Sequence, residues 1–470
     1  MGQSRREFLQ RSGCGLTFAA LAGAVERFSL INALAQPSTA TDYKALVCIY
    51  LNGGNDGNNT VIPYDDYNAP GGYGAVRGAS GLAVPQASLL QVSPLGQAGR
   101  KFGFHPSMTE IQALFNQQKV AVLCNTGPLV QPLTRTLYEA GVGHPYQLFS
   151  HSDQTTQQQT SVSTTATQVG WGGRLADALS GINGSALLPM AMSVAGTNLF
   201  MTGANTRQLV VPAAGSLANA FFLDNQVYPS TALGARLQAF DQLREEATNL
   251  PLTRTAADTL EQALQARQAL SADASLPPLQ TGQTDFPRTV LGDQMKQIAK
   301  LISIRSSLGL NRQVFFCQHE GFDSHINQRG AANLSQDSLL LQLSATMKAF
   351  YDATINLGVS AQVTTFTLSE FGRTLEPSGS GAAVGSDHAW GNHHLVMGGA
   401  VRGGDFYGTY PTLAMGGPDD ADSRGRWIPT TSVDQYAATL ARWYGLPDAN
   451  ITDVFPFINR FASNNLGFLS

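Results

Sequence analysis

The sequence predicts an α/β fold in three layers, α/β/α, built on a mostly parallel, doubly wound sheet that carries a helical insertion. Three observations predict it. Continuous apolar runs end in glycine-rich polar turns, segments with helical spacing of apolar residues lie between those runs, and the 470-residue chain, 43% hydrophobic, is long enough for a sizeable core. Strands buried on both faces read as unbroken apolar runs. A helix between two such strands gives the right-handed crossover that makes them parallel.

The chain opens with Ser4-Arg5-Arg6-Glu7-Phe8-Leu9, a Gly- and Ala-rich apolar stretch from Gly13 to Val25, and Ala33-Leu34-Ala35. A charged segment, an apolar segment and a small-x-small site in that order form an export signal. The paired arginines give it the twin-arginine form. Residues 1–35 are therefore expected to be a twin-arginine signal peptide, and the mature chain to begin near Gln36 and work in the periplasm or outside the cell. The apolar run is shorter than the roughly 20 residues that cross a bilayer, so no transmembrane anchor is expected. Charged residues are 13% of the chain and the net charge is −4, which implies no broad basic surface for nucleic acid.

Within 36–470 the first strand is expected at Tyr43–Leu51, ending in Asn52-Gly53-Gly54-Asn55-Asp56-Gly57. Pro106–Gln118 spaces Met108, Ile111, Leu114 and Phe115 as a helix and leads into a strand at Val120–Cys124. Gln154–Thr167 is locally low in complexity and is expected to be a surface loop. Residues 183–290, with a short strand-like piece at Leu209–Pro212 and amphipathic stretches at Thr253–Ser271 and, just beyond, Thr289–Leu308, are expected to form an insertion or cap. A further strand–helix–strand unit follows, from Gln313–Cys317 through Asp337–Leu357 to Ala361–Leu368. Beyond the leader the cysteines are Cys48, Cys124 and Cys317, each inside an apolar run, and they read as small core residues.

Ligands of open parallel sheets bind beyond the carboxyl ends of the strands. The expected strand ends there carry Asn55-Asp56-Gly57, His319 through Asp323 to His325, and Ser369-Glu370-Phe371-Gly372-Arg373, while Asp387-His388 and His393-His394 follow in a glycine-rich stretch. Carboxylates and imidazoles without thiolates suit zinc, manganese, magnesium or calcium. Asp56 fits either a metal carboxylate or a turn cap, Glu370 and Arg373 either a site or an ion pair, and Asp387 either a ligand or the group that orients a histidine ring. His393 and His394 point oppositely if they begin a strand, so at most one faces the site. Ser150 and Ser152, beside His151 and Asp153, are hydroxyl candidates, with Thr60 as another. Adjacent Ser, His and Asp do not make a protease triad, whose members come from separate segments.

Taken in order, the leader, Leu51-Asn52-Gly53-Gly54-Asn55-Asp56-Gly57, Phe149-Ser150-His151, Gly170-Trp171-Gly172-Gly173-Arg174, Gly321-Phe322-Asp323-Ser324-His325, Ser369-Glu370-Phe371-Gly372-Arg373-Thr374 and Asp387-His388-Ala389-Trp390 resemble an exported bacterial family called domain of unknown function 1501. The resemblance covers roughly residues 40–465. That family is similar to a distant branch of the alkaline phosphatase and sulfatase superfamily. The resemblance implies an alkaline-phosphatase-like fold, a divalent metal, and hydrolysis of phosphate or sulfate esters. It implies metal ligation by Asp56, Asp323, His325, Glu370 and His388, with Ser150 in the nucleophile's place. The chain departs from the superfamily in having Asp323 and His325 two residues apart rather than further, and Glu370-Phe371 where Asp-His is common.

The expected function is thus an exported metal-dependent ester hydrolase in which Asp56, Asp323, His325, Glu370 and His388 hold the metal, Asp387 serves as ligand or orienting group, and Arg373 stabilises developing charge. Its partner would be a small-molecule or polymer-borne ester. The alternative is a non-catalytic exported binding or assembly protein that retains the fold. A redox role finds no Cys-x-x-Cys-His and no Gly-x-Gly-x-x-Gly after a strand.

Overall fold

The computed structural model describes residues 42–97, 99–184, 186–217 and 275–470, with scattered helical positions between 234 and 270. The leader, the junction near Gln36 and most of the stretch Thr253–Ser271 lie outside the described residues.

In chain order the first strands are β1 (Lys44–Leu51), β2 (Val61–Pro63), β3 (Leu90–Val92), β4 (Phe102–Phe104) and β5 (Val120–Gly127). There follow β6 (Ala191–Ser193), β7 (Leu209–Val210), β8 (Arg312–His319), β9 (Val363–Leu368) and β10 (Arg373–Ser378). The last are β11 (Gly385–His388), β12 (Asn392–Gly398), β13 (Phe406–Tyr407) and β14 (Thr431–Ser432). The main helices are α1 (Thr109–Asn116), α2 (His151–Thr160), α3 (Trp171–Ala178), α4 (Val290–Ser303), α5 (Gln336–Asn356) and α6 (Val433–Tyr444).

A nine-stranded sheet runs β13-β5-β12-β9-β1-β8-β6-β7, with β14 also on β5. β1 is central and parallel to both β8 and β9. Alternate residues of β1 feed two separate cores, which makes the three layers. Ala45, Val47, Ile49 and Leu51 pack with Ile111 of α1, Met295 of α4 and Leu343 and Met347 of α5. Leu46, Cys48 and Tyr50 pack with Trp171 and Leu175 of α3 and Tyr436 and Leu440 of α6. Cys48, Cys124 and Cys317 are buried free thiols within these cores.

The registers bring the strand ends level. Leu51 pairs with His319, and Tyr50 with Leu368, so the chain leaves β1, β8 and β9 at one edge. β12 is the exception to the parallel pattern, antiparallel to both β9 and β5. Its first residue, Asn392, pairs with Thr126 near the end of β5, so the segment that precedes β12 arrives at the same edge. This inverted strand delivers His388 beside residues that follow parallel strands.

Two expectations need correction. Within 183–290, the stretch expected to be an insertion, β6 and β7 join the central sheet through β8, so 191–210 belongs to the main body. Gln154–Thr167 does not begin as a surface loop: up to Thr160 it is all but the first three residues of α2, and Gln154, Gln157, Gln158 and Gln159 are buried. Their amides serve irregular backbone nearby. Gln154 accepts from the Phe149 amide, Gln157 donates to the Tyr146 carbonyl, and Gln159 accepts from the Phe200 amide. A polar run is buried here because loops need its hydrogen-bonding groups.

β12 also carries His393 and His394 to opposite faces, where His393 stacks on Tyr410 and His394 on Tyr436. Burial pushes both rings down to about 3 and His319 down to about 4. These three stay neutral in the folded chain while their unfolded counterparts take up protons below pH 6.5. Stability is therefore complete above that pH and is lost on acidification, by about 1.4 kcal/mol per pH unit for each histidine. The melting temperature is expected to fall steeply between pH 6.5 and 4. His394, with neither ring nitrogen hydrogen-bonded, should be replaceable: His394→Phe, keeping the stack on Tyr436, should make that fall shallower, and an unchanged pH slope would contradict the assignment.

Candidate metal centre

At the end of β1 the chain passes through Gly53, and at the end of β8 through Gly321-Phe322-Asp323. The two turns meet backbone to backbone: the Phe322 amide donates to the Asn52 carbonyl at 3.0 Å. A Cβ on Gly53 would lie 2.2 Å from the Asp323 nitrogen, and Gly53 has φ +116°, so only glycine fits. Phe322 is buried and anchors the second turn, which leaves the Asp323 side chain half exposed. β11 then docks on the same turn through the Ser386 amide, which donates to the Ser324 carbonyl. Gly385 allows this approach, because a Cβ there would lie 2.3 Å from the His325 carbonyl. His388 thereby comes to face His325. His151 enters from the first turn of α2.

Four ligand atoms converge, from His151, Asp323, His325 and His388, all within 4.8 Å of one another. Asp323 Oδ1 lies 3.2 Å from His325 Nε2, 3.5 Å from His151 Nε2 and 3.9 Å from His388 Nε2. His325 Nε2 and His388 Nε2 are 2.8 Å apart. The opposite nitrogen of each ring is held by an acceptor. His325 Nδ1 meets Asp387 Oδ1 at 3.0 Å, His151 Nδ1 meets Glu370 Oε1 at 3.0 Å, and His388 Nδ1 meets the Phe149 carbonyl at 2.7 Å. An acceptor at Nδ1 places the proton there and turns the Nε2 lone pair inward, the arrangement of a metal-ligating imidazole.

Electrostatics favour the same state. His388 is held at about 4, chiefly by burial and further by Arg373, His151 and His325, against the pull of the Phe149 carbonyl. Burial would raise the Asp323 carboxyl, but the Arg373 hydrogen bond and charge, with His151 and His325, hold it below the usual carboxylate range. Asp387 is likewise held low against burial, by its hydrogen bonds to Arg424 and His325. Three imidazoles thus face one carboxylate. Tetrahedral zinc with metal–nitrogen bonds near 2.0–2.1 Å requires ligand atoms about 3.3 Å apart, within the observed spread. The donor set fits a divalent ion.

Asp323, His325 and His388 are the sequence candidates found in the quartet. Glu370 and Asp387 stand one contact away, each gripping a ring; Glu370 Oε1 also accepts from the Gly53 amide at 2.7 Å. Asp56 is elsewhere. Its carboxylate is fully buried, ion-paired with Arg77 at 2.6 Å, hydrogen-bonded to Gln328, and caps the Asn58 amide, so it has no part in the quartet. Arg373 does not face the cleft: its buried guanidinium donates to the carbonyls of Gly53, Gly54, Phe322 and Ser386 and to Asp323. Ser150 Oγ donates to Asp153 Oδ2 at 2.6 Å, which turns it from the nucleophile's role. Thr60 is buried and donates to the Asp56 carbonyl. Neither His393 nor His394 reaches the centre.

His151 is the candidate ligand that sequence reasoning passed over. It stood inside Phe149-Ser150-His151, one of the blocks that carry the family resemblance, where it read as the neighbour of candidate hydroxyls rather than as a ligand. Beside the quartet opens a cleft of about 380 Å³, whose lining includes His151, Ser152, Thr155, Glu320, Asp323 and Glu370.

Residues 43–432 match the family described as "Protein of unknown function (DUF1501)". No curated protein matches the chain. Among solved structures, the chain is similar to a protein crystallised with k-i-k-neocarrahexaose, at 7% identity and a TM-score of 0.35, over 89% of this chain and 77% of that one. It is similar to a sulfatase from Pseudoalteromonas sp., at 10% identity and a TM-score of 0.33, over 92% and 72% of the two chains. It is also similar to a phosphonate monoester hydrolase of Agrobacterium radiobacter, at 10% identity and a TM-score of 0.29, over 86% and 74%.

The Asp56–Arg77 pair can be tested apart from the centre. Arg77→Met leaves a buried carboxylate unpaired and is expected to cost about 3–5 kcal/mol in chemical unfolding. Adding Asp56→Leu should restore a large part of that stability, which would not happen if Asp56 gained its worth from the quartet.

Proposed function

We propose that this chain, which belongs to the DUF1501 family, is an exported hydrolase of phosphate or sulfate esters that holds one divalent ion between His151, Asp323, His325 and His388. The observation that carries the reading is the set of three imidazoles whose Nδ1 atoms are each anchored and whose Nε2 atoms surround one carboxylate oxygen. Among zinc, manganese, magnesium and calcium, three nitrogens and one oxygen favour zinc, since the other three prefer oxygen-rich sets. Such an ion supplies Lewis acidity toward an ester oxygen.

The remaining roles belong to the chain itself. Arg373 fixes the Asp323 carboxylate, Glu370 and Asp387 fix the tautomers of His151 and His325, and Phe371 packs against the rings of His151 and His388. Ser152 and Thr155 line the cleft where a substrate would lie. The leader at 1–35 supports work in the periplasm or outside the cell.

A non-catalytic exported binding protein with a structural metal is the second reading. It is favoured by one observation: the Ser150 hydroxyl and the Arg373 guanidinium are both spent inside the protein.

Purified without added metal, the protein is expected to carry about one zinc per chain by elemental analysis. His325→Ala with His388→Ala should abolish it, while Asp387→Asn should weaken affinity about 10–100-fold. Turnover of generic phosphate or sulfate esters, lost to chelator and restored by one metal, supports the hydrolase; a chelator that lowers the melting temperature of a protein with no turnover supports the second reading. Arg5→Lys with Arg6→Lys is expected to retain the protein in the cytoplasm, as read by cell fractionation; normal export of that variant would refute the leader's assignment.

A further inference from the structure

Building on the metal-centre reading, we propose that the cleft selects an ester bearing a primary ammonium group, and that Glu320 receives that group. The other two carboxylates of the lining are tied into the centre, one by a guanidinium and the other by burial. Asp323 is matched by Arg373 at 2.6 Å, and Glu370 takes the Gly53 amide and the His151 ring. Glu320 differs. It is exposed, and its oxygens accept from Asn52 Nδ2 at 2.6 Å and Gln318 Nε2 at 2.5 Å, two neutral amides that orient the carboxylate without neutralising it. Among the described residues no lysine or arginine lines the cleft.

The charge of the cleft therefore runs opposite to that of a pocket built for a doubly charged anion. Beyond the ion itself, nothing on its walls clamps phosphate oxygens, the task usually given to arginine or lysine. A ligand with an ammonium beside its ester resolves the imbalance: the ester oxygens face the metal quartet and the ammonium faces Glu320. A primary ammonium has three donors; Glu320 is the charged acceptor, and Ser152 and Thr155, whose hydroxyls meet Asp153 and Tyr50, line the same cleft. Among the described residues no Phe, Tyr or Trp is in the lining, so the cleft lacks the ring faces that recognise quaternary ammonium. The class is thus a phosphate or sulfate ester of an amino alcohol or amino sugar.

The test uses the full mature chain loaded with cobalt(II), whose visible absorption reports ligands reaching the metal. It is titrated with O-phosphoethanolamine, phosphocholine, glycerol phosphate and inorganic phosphate. O-Phosphoethanolamine is expected to shift the spectrum at a concentration about two- to fivefold lower than the other three, an exposed ion pair's worth of preference. Glu320→Gln should keep the cobalt spectrum and erase that gap. Equal or tighter binding of glycerol phosphate or inorganic phosphate, a gap that survives Glu320→Gln, or no shift with any probe overturns the proposal. Phosphocholine equal to O-phosphoethanolamine overturns the primary amine. A chain that takes up no cobalt overturns the metal reading itself, and this one with it.

Discussion

One buried guanidinium holds the candidate centre together. Arg373, at the start of β10, donates to carbonyls on the turn after β1, on the turn after β8 and on β11, and then to the carboxylate of Asp323. Those turns have no secondary structure to satisfy their carbonyls, and a planar fork with five donors suits the task better than an ammonium would. The same contact sets where Asp323 points. A side chain that reads from sequence as a catalytic cation is instead the tie between three segments, and the geometry of the quartet follows from it.

The histidines show how one residue type is put to two uses. His393 and His394 are core residues whose rings stack on tyrosines, while His151, His325 and His388 have an acceptor behind each ring. Burial keeps the rings of His393 and His394 neutral, whereas an acceptor on Nδ1 aims the Nε2 of the other three at the centre. That distinction depends on residues far away in the chain, Glu370 for His151 and Asp387 for His325. Pattern reading along the chain does not reveal it.

Much of the architecture was legible. The apolar runs at β1, β5, β8 and β9 and the helical spacing of α1 and α5 reflect local physics, and each lies where the sequence places it, give or take a few residues at the ends. The inverted direction of β12 was not legible, because a central strand looks the same whichever way it runs. Nor was the interior of α2: glutamines at its buried face answer to loop backbone that no window of sequence contains. Of the candidate site, Asp323, His325 and His388 stood out because acidic and imidazole groups follow strand ends. Asp56 stood out for the same reason and belongs to a buried ion pair, since its partner Arg77 lies in an unremarkable helical turn.

The inverted strand has a consequence for when the centre comes into being. His151 and His388 sit at opposite ends of a long stretch of chain, and the strand pair that carries the chain past them, β12 on β5, is of high contact order, the kind of pairing that slows folding. No local fragment holds more than the Asp323 and His325 pair. An ion bound by all four residues is therefore acquired by the finished fold rather than by the growing chain, and its binding energy adds to the stability of that fold. The compartment in which the sheet closes is then the one whose metal supply decides which ion the protein carries.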